Sequence, residues 1–405
     1  MTLDAARLAV LGTPLEFVLF AATLIGVAVF HHRTLAVALV GLAAIVLYKL
    51  GVGFDEGPGL SGLLGHLARE WVVIANLALL LTGFAILSRH FEQSRLPDLA
   101  PALLPAGWSG GLVLLVLVFV LSGFLDNIAS ALIGATVARH VYKGRVSVGY
   151  LAAVVAAANA GGAGSVVGDT TTTMMWIAGR SPLDVAHGYV GAVVALAVFA
   201  IAAARTQEKF QPMLRHETRG IRADWWRLGI VVFILLAAVG SNVGVNIVSP
   251  ELSDRLPVIG IAVWLAILLA ALIRKTDLSV LREAGKGTLF LVALVLSASL
   301  MPVQSLPEAS WQTAFSLGFI SAIFDNIPLT ALALKQGGYD WGMLAFAVGF
   351  GGSMVWLGSS AGVAVSNMFE EAKSVGAWLR GAWWLPAAYV IGFFVSLALL
   401  GWRPA

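Results

Sequence analysis

The chain has no cysteine, which rules out both disulfides and thiolate metal sites. It is also poor in charge, with 12% Asp, Glu, Lys and Arg against 59% hydrophobic residues. A soluble domain of 405 residues cannot hide that much apolar surface, because surface shrinks too slowly relative to volume as chains grow. No polar stretch is long enough for a separate soluble domain, and the longest, Arg205 to Arg227, is expected to be a loop. Nor is there an ATP-binding motif, so any transport must couple one solute to another. The net charge of +3 is small and its basic residues are scattered, which argues against a nucleic-acid surface.

What the chain does have is a series of apolar runs of bilayer length. They fall at about 14–30, 34–50 and 71–88, then in a long stretch at 108–139, a glycine-interrupted one at 147–178 and a span at 184–204. After the basic loop the order returns: spans at about 228–248, 257–273 and 285–303, a stretch with a polar middle at 310–335, a glycine-interrupted one at 341–367 and a last span at 382–402. The first stretch lacks a small-residue cleavage site and reads as a retained span. The expected fold is therefore an all-α polytopic membrane protein.

Two landmarks make the halves a repeat. Asp126-Asn127-Ile128 is answered by Asp325-Asn326-Ile327, an offset of 199. Gly161-Gly162 with Gly168-Asp169 is answered by Gly351-Gly352 with Gly358-Ser359, an offset of 190. If each Asp-Asn segment is a re-entrant hairpin, each half has five crossings, and an odd number makes the repeats inverted. The organisation expected is a first repeat at 1–205, a cytoplasmic linker at 206–227 and a second repeat at 228–405. Spans 14–88 and 228–303 form scaffold helices, while 108–178 and 310–367 hold the hairpins and broken helices. This topology leaves 18 of 25 Lys and Arg inside and seven outside (Arg7, Lys49, Arg69, Arg180, Arg255, Lys335 and Arg403), as the positive-inside rule requires. Both ends of the chain then face the periplasm.

Asp126, Asp169 and Asp325 are the carboxylates expected deep in the membrane, where an ionisable group costs about 2.5–3.5 kcal/mol on insertion scales and needs a partner or a purpose. One reading makes Asp126 and Asp325 simple N-caps; a cap can also be a cation ligand. Asn159, Gly161, Gly162 and Gly164, with Gly168 beyond them, and Gly351, Gly352 and Gly358 in the second half, are expected to break two helices at mid-membrane. Unwound backbone is tolerated there only where it lines a protein-enclosed cavity, and its carbonyls can then meet a cation. Close helix packing through small residues is the alternative. Thr170 and Thr171 follow Asp169 at once, whereas Ser359 and Ser360 replace Asp169-Thr170, so the site should be lopsided. Carboxylate, amide and hydroxyl oxygens suit hard cations such as Na⁺ and Li⁺. A proton and Na⁺ competing for one carboxylate is a minimal antiport mechanism.

Other motifs are set aside. Gly358-Ser359-Ser360-Ala361-Gly362 matches a nucleophile elbow formally, making an intramembrane serine hydrolase the remote alternative. But that motif needs a strand–turn–helix and a His partner, and all seven histidines (31, 32, 66, 90, 140, 187, 216) fall at span ends or in loops. His31-His32 reads as a solvated turn. The thirteen tryptophans sit mostly near span ends and read as interfacial anchors.

The paired motifs resemble those of the NhaD-type sodium/proton antiporters of the ion transporter superfamily. The likeness rests on Asn159 to Ala163 with Gly168 to Thr172, on both Asp-Asn motifs, and on Gly351-Gly352-Ser353 with Gly358 to Val363. It implies a bacterial inner-membrane protein, not an enzyme, that exchanges Na⁺ or Li⁺ for H⁺. It also implies a scaffold and a transport domain, a homodimer formed through the scaffold, and an elevator-like motion. Asp126, Asp169 and Asp325 would hold Na⁺, with Asn127, Asn159, Thr170, Thr171, Asn326, Ser359 and Ser360 about them, and no resident cofactor. The chain departs from the family in its compact loops and in Ala129-Ser130 after the first Asp-Asn-Ile. Related permeases carry arsenite or dicarboxylates, and those remain the alternative substrates.

The topology is testable in this cysteine-free background. Glu92→Cys and Arg215→Cys should be labelled only from the cytoplasmic side and Asp254→Cys only from the outside. Equal access to positions 215 and 254 from outside would overturn the inverted arrangement.

Overall fold

The computed structural model describes residues 9–10, 13–30, 33–96, 99, 104–165, 168–213, 222–248 and 250–405. His31, His32, Arg215 and His216 lie outside the described residues, as does Arg7. The chain is helical almost throughout. The helices are α1 (Leu15–Val29), α2 (Thr34–Val52), α3 (Gly59–Gln93), α4 (Trp108–Ser122), α5 (Asn127–Val141), α6 (Val148–Gly162), α7 (Thr170–Ile177), α8 (Pro182–Ala186) and α9 (Gly188–Phe210). They continue with α10 (Trp225–Val248), α11 (Pro250–Arg255), α12 (Val258–Ala271), α13 (Leu281–Ser299), α14 (Trp311–Ser321), α15 (Asn326–Gln336), α16 (Trp341–Gly351), α17 (Ser360–Met368), α18 (Val375–Gly381) and α19 (Trp384–Leu400). A two-residue antiparallel strand pair, Ala9–Val10 with Thr13–Pro14, precedes α1.

Thr34–Val52, Gly59–Gln93, Pro182–Phe210 and Trp225–Asn242 are each long and apolar enough to cross a bilayer, and shorter apolar helices accompany them. Large apolar side chains such as Leu47, Leu236 and Leu268 stand uncovered on α2, α10 and α12. The chain is thus a multi-pass, all-α membrane protein, with lipid as the solvent of those faces.

The chain clusters into two compact units. One takes Met1–Arg89, Gly229–Leu306 and Leu334–Gln336; the other takes His90–Leu228, Pro307–Ala333 and Gly337–Ala405. In the first, α3 begins at Gly59, well before the span expected from 71, and this corrects the placing of His66. His66 lies inside a helix and is buried, its Nδ1 3.1 Å from Glu56 Oε1 and its Nε2 2.9 Å from Ser299 Oγ. Glu56 also pairs with Arg69. The Lys335 ammonium donates to the carbonyls of Ser299 and Met301, which the end of α13 leaves open. On the loop after α12, Asp277 accepts from Ser279 and from Arg89 Nε (2.8 Å), and these bonds hold its carboxyl down at about 2.

The second unit is built on α6 and α16. Both are buried on every side, which is what a helix apolar all round demands. α6 packs on α4, α5, α9 and α18, and α16 on α14, α9 and α19. Small residues permit this approach: a Cβ at Gly161 would fall on the Phe119 carbonyl, and one at Gly351 on the Gly318 carbonyl. Positions 119 and 318 are separated by the same 199 residues as the two Asp-Asn motifs. The expected long stretches are each two helices, α4–α5 and α14–α15 across turns at 123–126 and 322–325, and α6–α7 and α16–α17 across gaps at 163–169 and 352–359. The basic stretch expected as loop from Arg205 is helical to Phe210, and helix resumes at Trp225. Trp225, Trp226 and Trp383 are exposed, but Trp176, Trp341 and Trp378 are core residues rather than interfacial anchors.

A Gly161→Ala protein should lose stability by about 1–3 kcal/mol, as overpacking of a close contact does. Gly285→Ala, in a helix where a Cβ meets nothing within 4 Å, should melt at or slightly above the native protein. Equal melting temperatures for the two variants would show that the α4–α6 contact is loose.

Candidate cation site

Four helices of the second unit begin after the Asp-Asn turns and the glycine breaks, and each starts with a side-chain cap. The Asp126 carboxylate accepts from the Ile128 amide (3.2 Å) and opens α5; that of Asp325 accepts from Ile327 (3.0 Å) and opens α15. Their backbones coincide, at φ −51°, ψ 140° and φ −53°, ψ 140°. After the glycine breaks, Asp169 accepts from Thr171 N (3.3 Å) to open α7, and Ser359 accepts from Gly362 N (3.2 Å) to open α17. These two also match, at φ −142°, ψ 143° and φ −146°, ψ 151°. Each carboxylate expected in the site is thus an N-cap, satisfying amides that would otherwise be orphaned away from water.

The caps are tied together by a second set of hydrogen bonds. Asn127 Nδ2 donates to Asn159 Oδ1 (3.1 Å), and Asn159 Nδ2 donates to Ser353 Oγ (2.9 Å) and Ser359 Oγ (3.1 Å). Ser360 Oγ donates to Asp325 Oδ2 (3.0 Å), and Asn326 Nδ2 reaches Asp169 Oδ2 at 3.4 Å. Asn159 is wholly buried and Asp169 is 2% exposed, whereas Asp126 and Asp325 are only partly covered. Thr170 and Thr171 are buried in the first turn of α7. Thr172 and Thr173 bond back to the Asp169 carbonyl, as threonines in an apolar helix do.

The glycines behave in two ways. Gly162 and Gly352 bring their breaks into contact with Gly168 and Gly358, and Gly164 lies against the Tyr189 ring. Several carbonyls at the breaks, however, already have donors: Gly161 O accepts from Tyr189 Oη (3.1 Å), Ser165 O from Thr172 Oγ1, and Ser353 O from Trp378 Nε1 (3.0 Å). Carboxylates, amides and hydroxyls are therefore the better-placed cation ligands. Sequence reasoning missed Ser353 as a member of the network. Its place directly after Gly351-Gly352 was the signal. Glu16, wholly buried at the start of α1, is a further carboxylate that the hydropathy pattern passed over.

The fold and this site define a class: a polytopic membrane protein whose paired broken helices are joined through hydrogen-bonded caps. No family model matches the chain. By sequence it is 32% identical to sodium/proton antiporter 1 of Arabidopsis thaliana, over 62% of this chain and 49% of the relative. It is 27% identical to the Na⁺/H⁺ antiporter NhaD of Alkalimonas amylolytica, over 71% and 68%, and 25% identical to the NhaD of Vibrio cholerae, over 70% and 68%. By sequence the chain is thus similar to sodium/proton antiporters, the bacterial ones among them of NhaD type. It spans about half the length of the plant relative and about two thirds of the bacterial ones.

Neutralising the three carboxylates should have unequal effects. Asp169→Asn puts an amide in the most buried position and should abolish ion binding. Ser359→Ala loses a cap of about 1 kcal/mol but no charge, and should weaken binding only modestly. Equal, mild losses of Na⁺ binding for Asp126→Asn, Asp169→Asn and Asp325→Asn would reduce all three to caps.

Proposed function

We propose that this protein is a secondary active transporter, not an enzyme, that exchanges Na⁺ or Li⁺ for H⁺ across the bacterial inner membrane. The observation that carries the reading is the hydrogen-bonded run from Asp169 through Asn326, and from Asp325 through Ser360, beside the Asn127–Asn159–Ser359 chain. It joins Asp169 and Asp325, and the unit that holds it carries a third carboxylate, Asp126, so that three carboxylates and four capped helix N-termini lie in one unit. Each N-terminus contributes roughly half a positive charge, so three carboxylates leave about one negative charge over. One monovalent cation or one proton balances it. A dianionic substrate such as a dicarboxylate does not.

Exchange follows if Na⁺ and H⁺ occupy the site in turn. The matched cap geometry of the two halves supports an inverted repeat, with the Asp-Asn turns as the tips of re-entrant hairpins. The division into two compact units supports an elevator-like motion, in which the unit carrying Asp126, Asp169 and Asp325 moves against the other. The second copy of a homodimer would be held through the unit built on α1–α3 and α10–α13. The names of the relatives support the choice of ions.

Competition for one carboxylate has a limiting signature. Apparent Kd for Na⁺ should rise about tenfold per pH unit on the acid side, a loss of about 1.4 kcal/mol each. Dequenching of a pH-sensitive dye in inverted vesicles, scanned over Na⁺, Li⁺, K⁺ and arsenite, should respond to Na⁺ or Li⁺ and weaken toward acid. Na⁺ affinity independent of pH between about 5 and 9, with no proton release on binding, would sink the shared-site mechanism.

A further inference from the structure

The two broken helices match at an offset of 190, so the counterpart of Asn159 on α6 is Gly349 on α16. Their surroundings match as well. Asn159 sends its amide to Ser359, the cap of α17. Gly349 lies beside Asp169, the cap of α7: a Cβ built at Gly349 would stand 3.3 Å from Asp169 Oδ2, 3.7 Å from Ala163 Cβ and 3.8 Å from Asn159 O. At the serine cap, then, an amide fills the space between the halves. At the carboxylate cap the same space is left without a side chain.

The contact that replaces it is long. Asn326 Nδ2 reaches the same oxygen, Asp169 Oδ2, at 3.4 Å, against 2.9 and 3.1 Å for the bonds of Asn159 at the other end. With the Thr171 amide on Oδ1 at 3.3 Å and Asn326 on Oδ2 at 3.4 Å, a carboxylate 2% exposed has room for a closer partner. Helical geometry does not require the glycine. Gly349 lies within α16, where alanine is the better helix former, and it has no positive φ.

We propose that Gly349 determines specificity for the transported ion: by carrying no side chain it leaves, at Asp169 Oδ2, a space about one methyl group wide that the dehydrated cation enters. The walls of that space are the backbone of α16, Ala163, the Asn159 carbonyl and Asp169 Oδ2 itself, which stands nearest to a Cβ at 349. A methyl group there narrows the space at the carboxylate, which can give by only a few tenths of an ångström while it caps α7. The loss therefore depends on ionic size, with Li⁺ suffering least, Na⁺ more and K⁺ most. This inference rests on the reading of Asp169 as the ion site.

The test is Gly349→Ala, with Gly287→Ala, where a Cβ meets nothing within 4 Å, as the control. Exchange in vesicles is measured against Na⁺ and Li⁺ separately, and ion-dependent shifts of melting temperature are measured on the purified protein. We expect the KM ratio of Na⁺ to Li⁺ to rise about tenfold, the low end of what one methyl group discriminates in a pocket, with the control unchanged. The melting shift should keep the same order in whatever fraction folds, so poor yield does not blunt the test. A uniform loss for both ions, or no change in either, overturns the specificity role while leaving the exchange reading intact. A native protein that neither exchanges nor is stabilised by Na⁺ or Li⁺ overturns both.

Discussion

The second unit depends on one constraint, the need to satisfy backbone amides where helices start in a water-poor interior. Every helix leaves its first amides without intrahelical partners, and hydrocarbon supplies none. This protein starts four helices there and meets each with an oxygen: Asp126, Asp325, Asp169 and Ser359. Three of the four are carboxylates, although a hydroxyl serves as well for capping alone. The excess charge is what a capping role by itself does not explain, and it is the feature on which the proposed cation site rests.

Once the caps are in place, the small residues follow. The turns at 123–126 and 322–325 must reach the glycine breaks closely enough for side chains one methylene long to bridge them. That distance is set where Gly161 and Gly168 lie against the carbonyls of Phe119 and Ser122, and where Gly351 and Gly358 lie against those of Gly318 and Ser321. Packing and chemistry are not separable at these positions. Close packing, the alternative to an open break, is realised at Gly161, Gly162, Gly164, Gly168, Gly351, Gly352 and Gly358.

The repeat is also informative where it fails. Asp169 faces Ser359 across an offset of 190, and Asn159 faces Gly349. The two departures lie at opposite ends of one network, so the carboxylate with space beside it and the serine with an amide against it form a polar pair. A symmetric arrangement would place a fourth carboxylate cap opposite Asp169; the serine at 359 leaves three.

Hydropathy, glycine runs and the spacing of Asp-Asn pairs determined the apolar stretches, the two breaks and the three capping carboxylates, because each is a local property of the chain, but not the short helices at Pro182–Ala186, Pro250–Arg255 and Val375–Gly381. Boundaries at 34, 108, 127 and 341 could be read for the same reason: a cap, a glycine or a run of apolar residues marks them. The start of α3 at Gly59 could not, since residues 59–70 carry His66, Arg69 and Glu70 and look like a polar loop until Glu56 and Ser299 are seen to partner the imidazole. Nor could the bond that Asn159 gives Ser353, or the burial of Trp378, whose indole donates to the Ser353 carbonyl. Hydrogen bonds between residues 194 positions apart leave no periodicity in a sequence. Which oxygen has a donor and which has space beside it is decided only when the two halves are packed together.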